Sequence, residues 1–283
     1  RVVVGGNGSW YGSAGGVAYL NSFDWGSDTP VFVFENNLGN GHERYTAEAI
    51  SHEVGHALGR SHDGDPSSSY YSGHGSGATG WASIMGVGYY QQLTQWSQGE
   101  YAGADNGQDD LTIITSGNGF GYRADDHGDA NGSATALSSD GNNANGAGII
   151  EQNTDVDVFS FTTTGGALDL DFSPAARGAN LDILVELYDS SNNLVASSNP
   201  TDALNASLNE TLTAGEYFIH VTGTGKGDPL ATGYTDYGSL GQYSINGAID
   251  GLADMGALAF AASALPEATY TTASVEAPEA TSF

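Results

Sequence analysis

The eleven residues from His52 to His62 constrain this chain more than any other stretch: they read H-E-x-x-H-x-x-G-x-x-H, and Asp63 follows. On a helix, His52 and His56 lie four residues apart, so both imidazoles leave one face, a turn from each other. That spacing lets two nitrogens reach a single Zn²⁺. Glu53 is too close in sequence to be a third ligand of that face, but it can accept a proton from the attacking water. Gly59 can take φ > 0, end the helix and reverse the chain sharply. The reversal brings His62 round as the third ligand. Three neutral imidazoles leave one position of a tetrahedral ion open, which marks a catalytic rather than a structural zinc. A helix with satisfied surface histidines is the other reading; it leaves Gly59 and His62 unexplained.

The stretch resembles the long zinc motif of the metzincin endopeptidases at every fixed position. Asp63 after the third histidine is similar to the adamalysin/reprolysin branch. That resemblance implies a methionine turn beneath the metal, and Ser83-Ile84-Met85-Gly86 looks like it, in a chain with only 2 methionines. Met85 would be a packing platform, not a ligand. Astacin- and serralysin-like members carry a tyrosine two residues after the methionine; Val87 stands there instead. Tyr89 and Tyr90 follow and are expected to line the primed-side pocket. The resemblance also makes Gly16, Val17, Ala18 and Tyr19, within a strand over 16–20, the antiparallel edge strand on the upper rim of the cleft. Its free backbone groups would pair with an extended peptide; an ordinary internal strand is the alternative. Since 51 residues precede the motif, the resemblance implies a catalytic domain that lacks its first elements.

Composition narrows the partners. Net charge is -28 with only 6 basic residues, which disfavours nucleic acid. No apolar run approaches the ~20 residues of a membrane span, and no signal peptide opens the chain. The absence of cysteine removes disulfides and thiolate ligands and departs from disulfide-bearing animal adamalysins. Residues 2–4, Gly15–Leu20 and Thr29–Glu35 read as strands. Residues 43–58 read as a helix whose buried stripe is Ala47, Ile50, Val54 and Leu58. Ser61–Gly80 reads as a surface loop, with His74 and His42 read as solvated rather than as ligands. Residues 91–116 should hold a closing helix, with Asp109 and Asp110 at its start and Gly117 at its end.

From Asp125 the pattern changes to short alternating strands between Gly/Asn/Ser turns, the signature of an antiparallel sandwich. These are Asp157–Phe161, Leu168–Phe172, Leu181–Tyr188, Glu216–Val221 and Gln242–Ile245. The carriers Asp155-Val156-Asp157-Val158-Phe159, Ala214-Gly215-Glu216-Tyr217 and Tyr237–Tyr243 make this half resemble the bacterial pre-peptidase C-terminal domain. Such domains accompany secreted peptidases and are thought to aid secretion, anchoring or substrate binding. Asp125, Asp126, Asp129 and Asn131 in one turn, with Glu151, Asp155 and Asp157 at the next strand's entry, offer hard oxygens suited to Ca²⁺; solvated turn aspartates are the bland reading.

The sequence therefore predicts an α+β metzincin-like zinc peptidase domain over 1–124, an all-β sandwich over 125–250, and a linker or disordered tail over 251–283. The expected activity is secreted, zinc-dependent hydrolysis of protein or peptide substrates, with Glu53 as base. The rival readings are a zinc-holding adhesion module whose sandwich does the main work, and a metal-dependent amidase.

Overall fold

The computed structural model describes residues 1–253. The linker or tail expected over 251–283 lies outside the described residues, apart from residues 251–253.

The N-terminal region is built around one helix. Strands β1 (Val2–Val4), β2 (Gly16–Val17) and β3 (Val31–Val33) form a small sheet in the order β1-β3-β2. β1 runs parallel to β3 and β2 antiparallel to it, so β2 is an edge. The expected strand over 16–20 is thus cut to two residues, and Ala18 and Tyr19 fall outside it. The reason is local: Asn21 takes φ 57, and the N–H groups of Asn21 and Phe23 leave the sheet to donate to His56 O and Ala57 O at the C-terminus of α1 (Glu43–Ala57). The last carbonyls of a helix lack partners within it; Phe23 N satisfies Ala57 O, and Asn21 N adds a second donor to His56 O.

α1 is buried differently from the expected stripe. Ala47 is exposed and Ile50 and Val54 are half-buried; the buried positions are Ala49, Glu53, Gly55 and Ala57, with Leu58 at the C-cap. The helix packs on two sides, one against β2 and β3 and the other against Met85 at Gly55, and a single-stripe reading cannot capture that. Gly59 has φ +91; Gly59 N donates to His56 O and Arg60 N to Gly55 O, the two bonds of a Schellman turn.

β4 (Trp81–Ser83) pairs in parallel with β5 (Leu93–Gln95). The closing helix expected within 91–116 is the short α2 (Asp110–Gly117), eight residues long; its N-cap Asp109 accepts from Thr112 N. Asp110, buried, meets buried Arg60 at 3.4 Å, so α2 braces the turn after α1.

The second half is β6 (Thr135–Ala136), β7 (Ser138–Asp140), β8 (Asn143–Ile150), β9 (Asp157–Pro174), β10 (Ile183–Asp189), β11 (Leu194–Ser198), β12 (Ala206–Gly223) and β13 (Gly241–Ile249). The runs 157–161 and 168–172, expected as separate strands, are one continuous strand, and β6, β7, β8 and β11 fall outside the expected strands. β9 and β12 are 18 residues each and pair along nearly their whole length. Gly165 and Gly166, at φ 99 and 133, sit midway. One half of the β9–β12 ribbon continues into β10 and β11, the other half into β13, β8 and β7. Phe159, Leu170, Phe172, Val185, Ile219 and Ile245 fill one apolar core between them. Alternate positions of each strand face it, the period-2 pattern of a half-buried strand.

Candidate metal centre and carboxylate cluster

His52, His56 and His62 converge. Each offers a nitrogen within 4.8 Å of the others', and His56 Nε2 lies 2.9 Å from His62 Nε2. Two ligands of one tetrahedral zinc lie about 3.3 Å apart, so the spacing fits a shared ion. His52 Nδ1 lies 2.9 Å from Ile84 O and His56 Nδ1 lies 2.8 Å from Arg60 O. A carbonyl only accepts, so both Nδ1 atoms carry protons and both Nε2 lone pairs face the common point. Burial, then the neighbouring His56, pushes His52 down to about 4; burial also lowers His56 and His62. The rings are therefore neutral, as ligation demands.

Met85 is wholly buried beneath the helix. A Cβ on Gly55 would collide with its Sδ, so only glycine lets the two meet. Met85 O accepts from Asp63 N at 2.9 Å, which fixes the residue after His62. Glu53 is buried, and burial pushes its carboxyl up to about 7, near the value a general base needs. Gly16 abuts it: a Cβ there would lie 2.8 Å from Glu53 Oε1. Val17 pairs with Phe32, while Ala18 and Tyr19 have left the strand.

Tyr70 was missed by sequence reasoning. Its ring lies 4.2 Å from that of His62 and stacks at 6.1 Å on His52. Burial, then the charge of Glu53, raises its pKa. The only sequence signal was an aromatic pair eight residues past the third histidine. Tyr89 packs beside Leu38 and Ala49, whereas Tyr90 is 76% exposed. His74 is not solvated: Nε2 donates to Gly233 O at 2.5 Å, leaving Nδ1 to accept from Tyr71 Oη at 2.6 Å.

The second cluster is built from oxygen. Asp125, Asp155 and Asp157 converge within 4.8 Å, as do Asp125, Asp126 and Glu151. Asp157 is fully buried; its Oδ2 accepts from Tyr243 Oη at 2.6 Å, but its Oδ1 has no partner. Neither carboxylate oxygen of buried Glu151 has one. No ion pair between a Lys or Arg and an acid among the described residues involves this cluster. Burial pushes Asp157 and Glu151 up to about 8 and raises Asp155. Orphaned buried acceptors without a counter-charge fit a hard divalent cation such as Ca²⁺. Asp129 lies outside these groups, exposed, and Asn131 instead accepts from His220 Nε2. His127 uses both ring nitrogens on Thr135 and Ala147.

Comparison with known proteins bears on the sandwich alone. Residues 155–223 match the family model of the Bacterial pre-peptidase C-terminal domain, and this segment is a domain of that family. Two solved structures are similar at low overlap. The pre-peptidase C-terminal domain of collagenase from Bacillus anthracis aligns at TM-score 0.30 and 16% identity, covering 40% of this chain and 92% of that one. The CBM35 from Cellvibrio japonicus Abf62 aligns at TM-score 0.23 and 15% identity, covering 45% and 87%. No curated protein matches the chain.

Proposed function

We propose that the chain is a secreted zinc-dependent endopeptidase of the metzincin type, with a calcium-holding accessory sandwich. The observation that carries this reading is the convergence of His52, His56 and His62 beside buried Glu53. When bound there, Zn²⁺ polarises a scissile carbonyl and makes a water more acidic. Glu53 takes the attacking water's proton and returns it to the leaving amine. The edge strand β2 offers backbone groups to an extended peptide next to Glu53. Tyr70 bounds the other side, over His62. In the second cluster, Asp125, Asp126, Glu151, Asp155 and Asp157 would hold Ca²⁺, which supplies the missing counter-charge.

The test is casein or peptide-library hydrolysis by the wild type and by Glu53→Gln, each with and without 1,10-phenanthroline. The proposal expects chelator-sensitive cleavage, lost in the variant although zinc remains bound. Equal hydrolysis by both proteins would refute it. The match of residues 155–223 to a pre-peptidase domain favours a second reading, an adhesion module. In that case insoluble protein or polysaccharide would retain the chain while no peptide is cut.

A further inference from the structure

The connection between β12 and β13, residues 224–240, does not stay with the sandwich. It lies across the N-terminal region. Lys226 N and Tyr234 N exchange hydrogen bonds with each other's carbonyls, making a small hairpin. Lys226 Nζ donates to Thr79 Oγ1 at 2.8 Å and Gly233 O accepts from His74. The Tyr234 ring enters the aromatic cluster of Tyr71, Trp81, Leu93 and Tyr101, while its hydroxyl donates to Asp182 Oδ2 of the sandwich at 2.6 Å. Thr235 donates to Glu100 at 3.2 Å. Tyr237 Oη accepts from Leu111 N and donates to Asp109 Oδ1, at the start of α2. Gly238 is pressed so closely on Gln95 and Trp96 that a Cβ would lie 2.6 Å from the Gln95 side chain.

This grip reaches the histidines in few steps. Tyr71, held by Tyr234 and His74, donates its N–H to Asp63 O at 2.7 Å, and its carbonyl accepts from Val87 N at 2.8 Å. Asp63 follows His62, and Val87 follows the Met85 turn. Tyr70, the neighbour of Tyr71, lies against the His62 ring at 4.2 Å. The two α1 histidines are set by the helix, whereas His62 lies past Gly59 on a connecting segment that belongs to no helix or strand.

We propose that residues 224–240 are an intramolecular clamp that holds the His62 arm in register with α1, so that the pre-peptidase domain is a working part of the metal centre rather than a detachable appendage. The proposal rests on the zinc reading above. His74 and Tyr234 are positioning residues: they touch no reacting atom and act through Tyr71.

Two experiments on the full chain test it. First, His74→Ala should weaken zinc retention against a chelator by about ten-fold and alter the visible spectrum of the Co²⁺-loaded protein. His74→Gln, whose amide can still donate to Gly233 O, should restore most of both. A His74→Ala chain that holds zinc as tightly as wild type, with an unchanged Co²⁺ spectrum, would overturn the proposal. Second, a site-specific protease sequence is placed in the exposed connector 119–123 and cut. The halves should stay associated on gel filtration and part when Tyr234→Ala and Lys226→Ala are combined. Halves that separate from the cut wild type, with the N-terminal piece still holding zinc at full affinity, would refute the clamp. If intact wild type takes up no zinc, the zinc reading fails, while association of the cut halves, which needs no metal, still judges the clamp.

Discussion

The imidazole centre and the carboxylate cluster solve one problem, gathering donor atoms around a point, in opposite ways. At His52, His56 and His62 the donors are neutral, and two of them are aimed by hydrogen bonds to backbone carbonyls. Gathering them costs little repulsion. At Asp125, Asp126, Glu151, Asp155 and Asp157 the donors are carboxylates gathered where the chain enters β9; Glu151 and Asp157 carry orphaned oxygens, and burial pushes these two and Asp155 toward their neutral forms. The first centre can stand ready without its ion; the second is incomplete without a cation or protons. The difference also separates roles: borderline nitrogen donors with an open position suit catalysis, hard oxygens suit a structural ion.

Removing single groups should sharpen that contrast. The largest effect is expected for His56→Ala, where two imidazoles retain Zn²⁺ poorly: zinc content after dialysis should fall from about one per chain to near none. Glu53→Gln should leave that content intact and lower kcat by roughly 10²- to 10⁴-fold. At the carboxylate cluster, Ca²⁺ at about 100 times its Kd should add about 2.7 kcal/mol of stability, visible as a rise of several degrees in Tm. Asp157→Asn should abolish that response and leave peptidase activity nearly unchanged. A Ca²⁺ response that survives Asp157→Asn would place the ion elsewhere.

The smallest effect concerns Asp182, whose carboxyl burial pushes up to about 6. A folded-state value above the unfolded one gives stability that is full below about pH 4 and is lost as pH rises through about 6. The loss is on the order of 2–3 kcal/mol. Asp182→Asn should lack it, so urea midpoints of wild type and variant should diverge between pH 4 and 6. Parallel profiles would remove Asp182 from the account.

What the sequence made legible follows its periodicity. The helix over 43–57 and its glycine turn were readable because the spacing of His52, His56, Gly59 and His62 admits few backbones. The alternating runs of the second half were readable for the same reason. The continuity of β9 was not: Gly165-Gly166 punctuates like a turn, yet its neighbours stay in register with β12. The α1 stripe misled because Gly55 and Ala49 bury backbone rather than bulk. Tyr70 and the 224–240 connection belong to irregular segments whose contacts are far apart in sequence, where no period exists to read. Orphaned oxygens could not be foreseen either, since an acidic turn looks alike whether solvated or enclosed.

Anomalous diffraction from zinc-loaded crystals, recorded on both sides of the zinc edge, tests the central claim most directly. The account predicts a single strong peak among the Nε2 atoms of His52, His56 and His62, with none among Asp125, Glu151 and Asp157. A peak only at the carboxylates, or histidine rings turned away from one another around no ion, would contradict it.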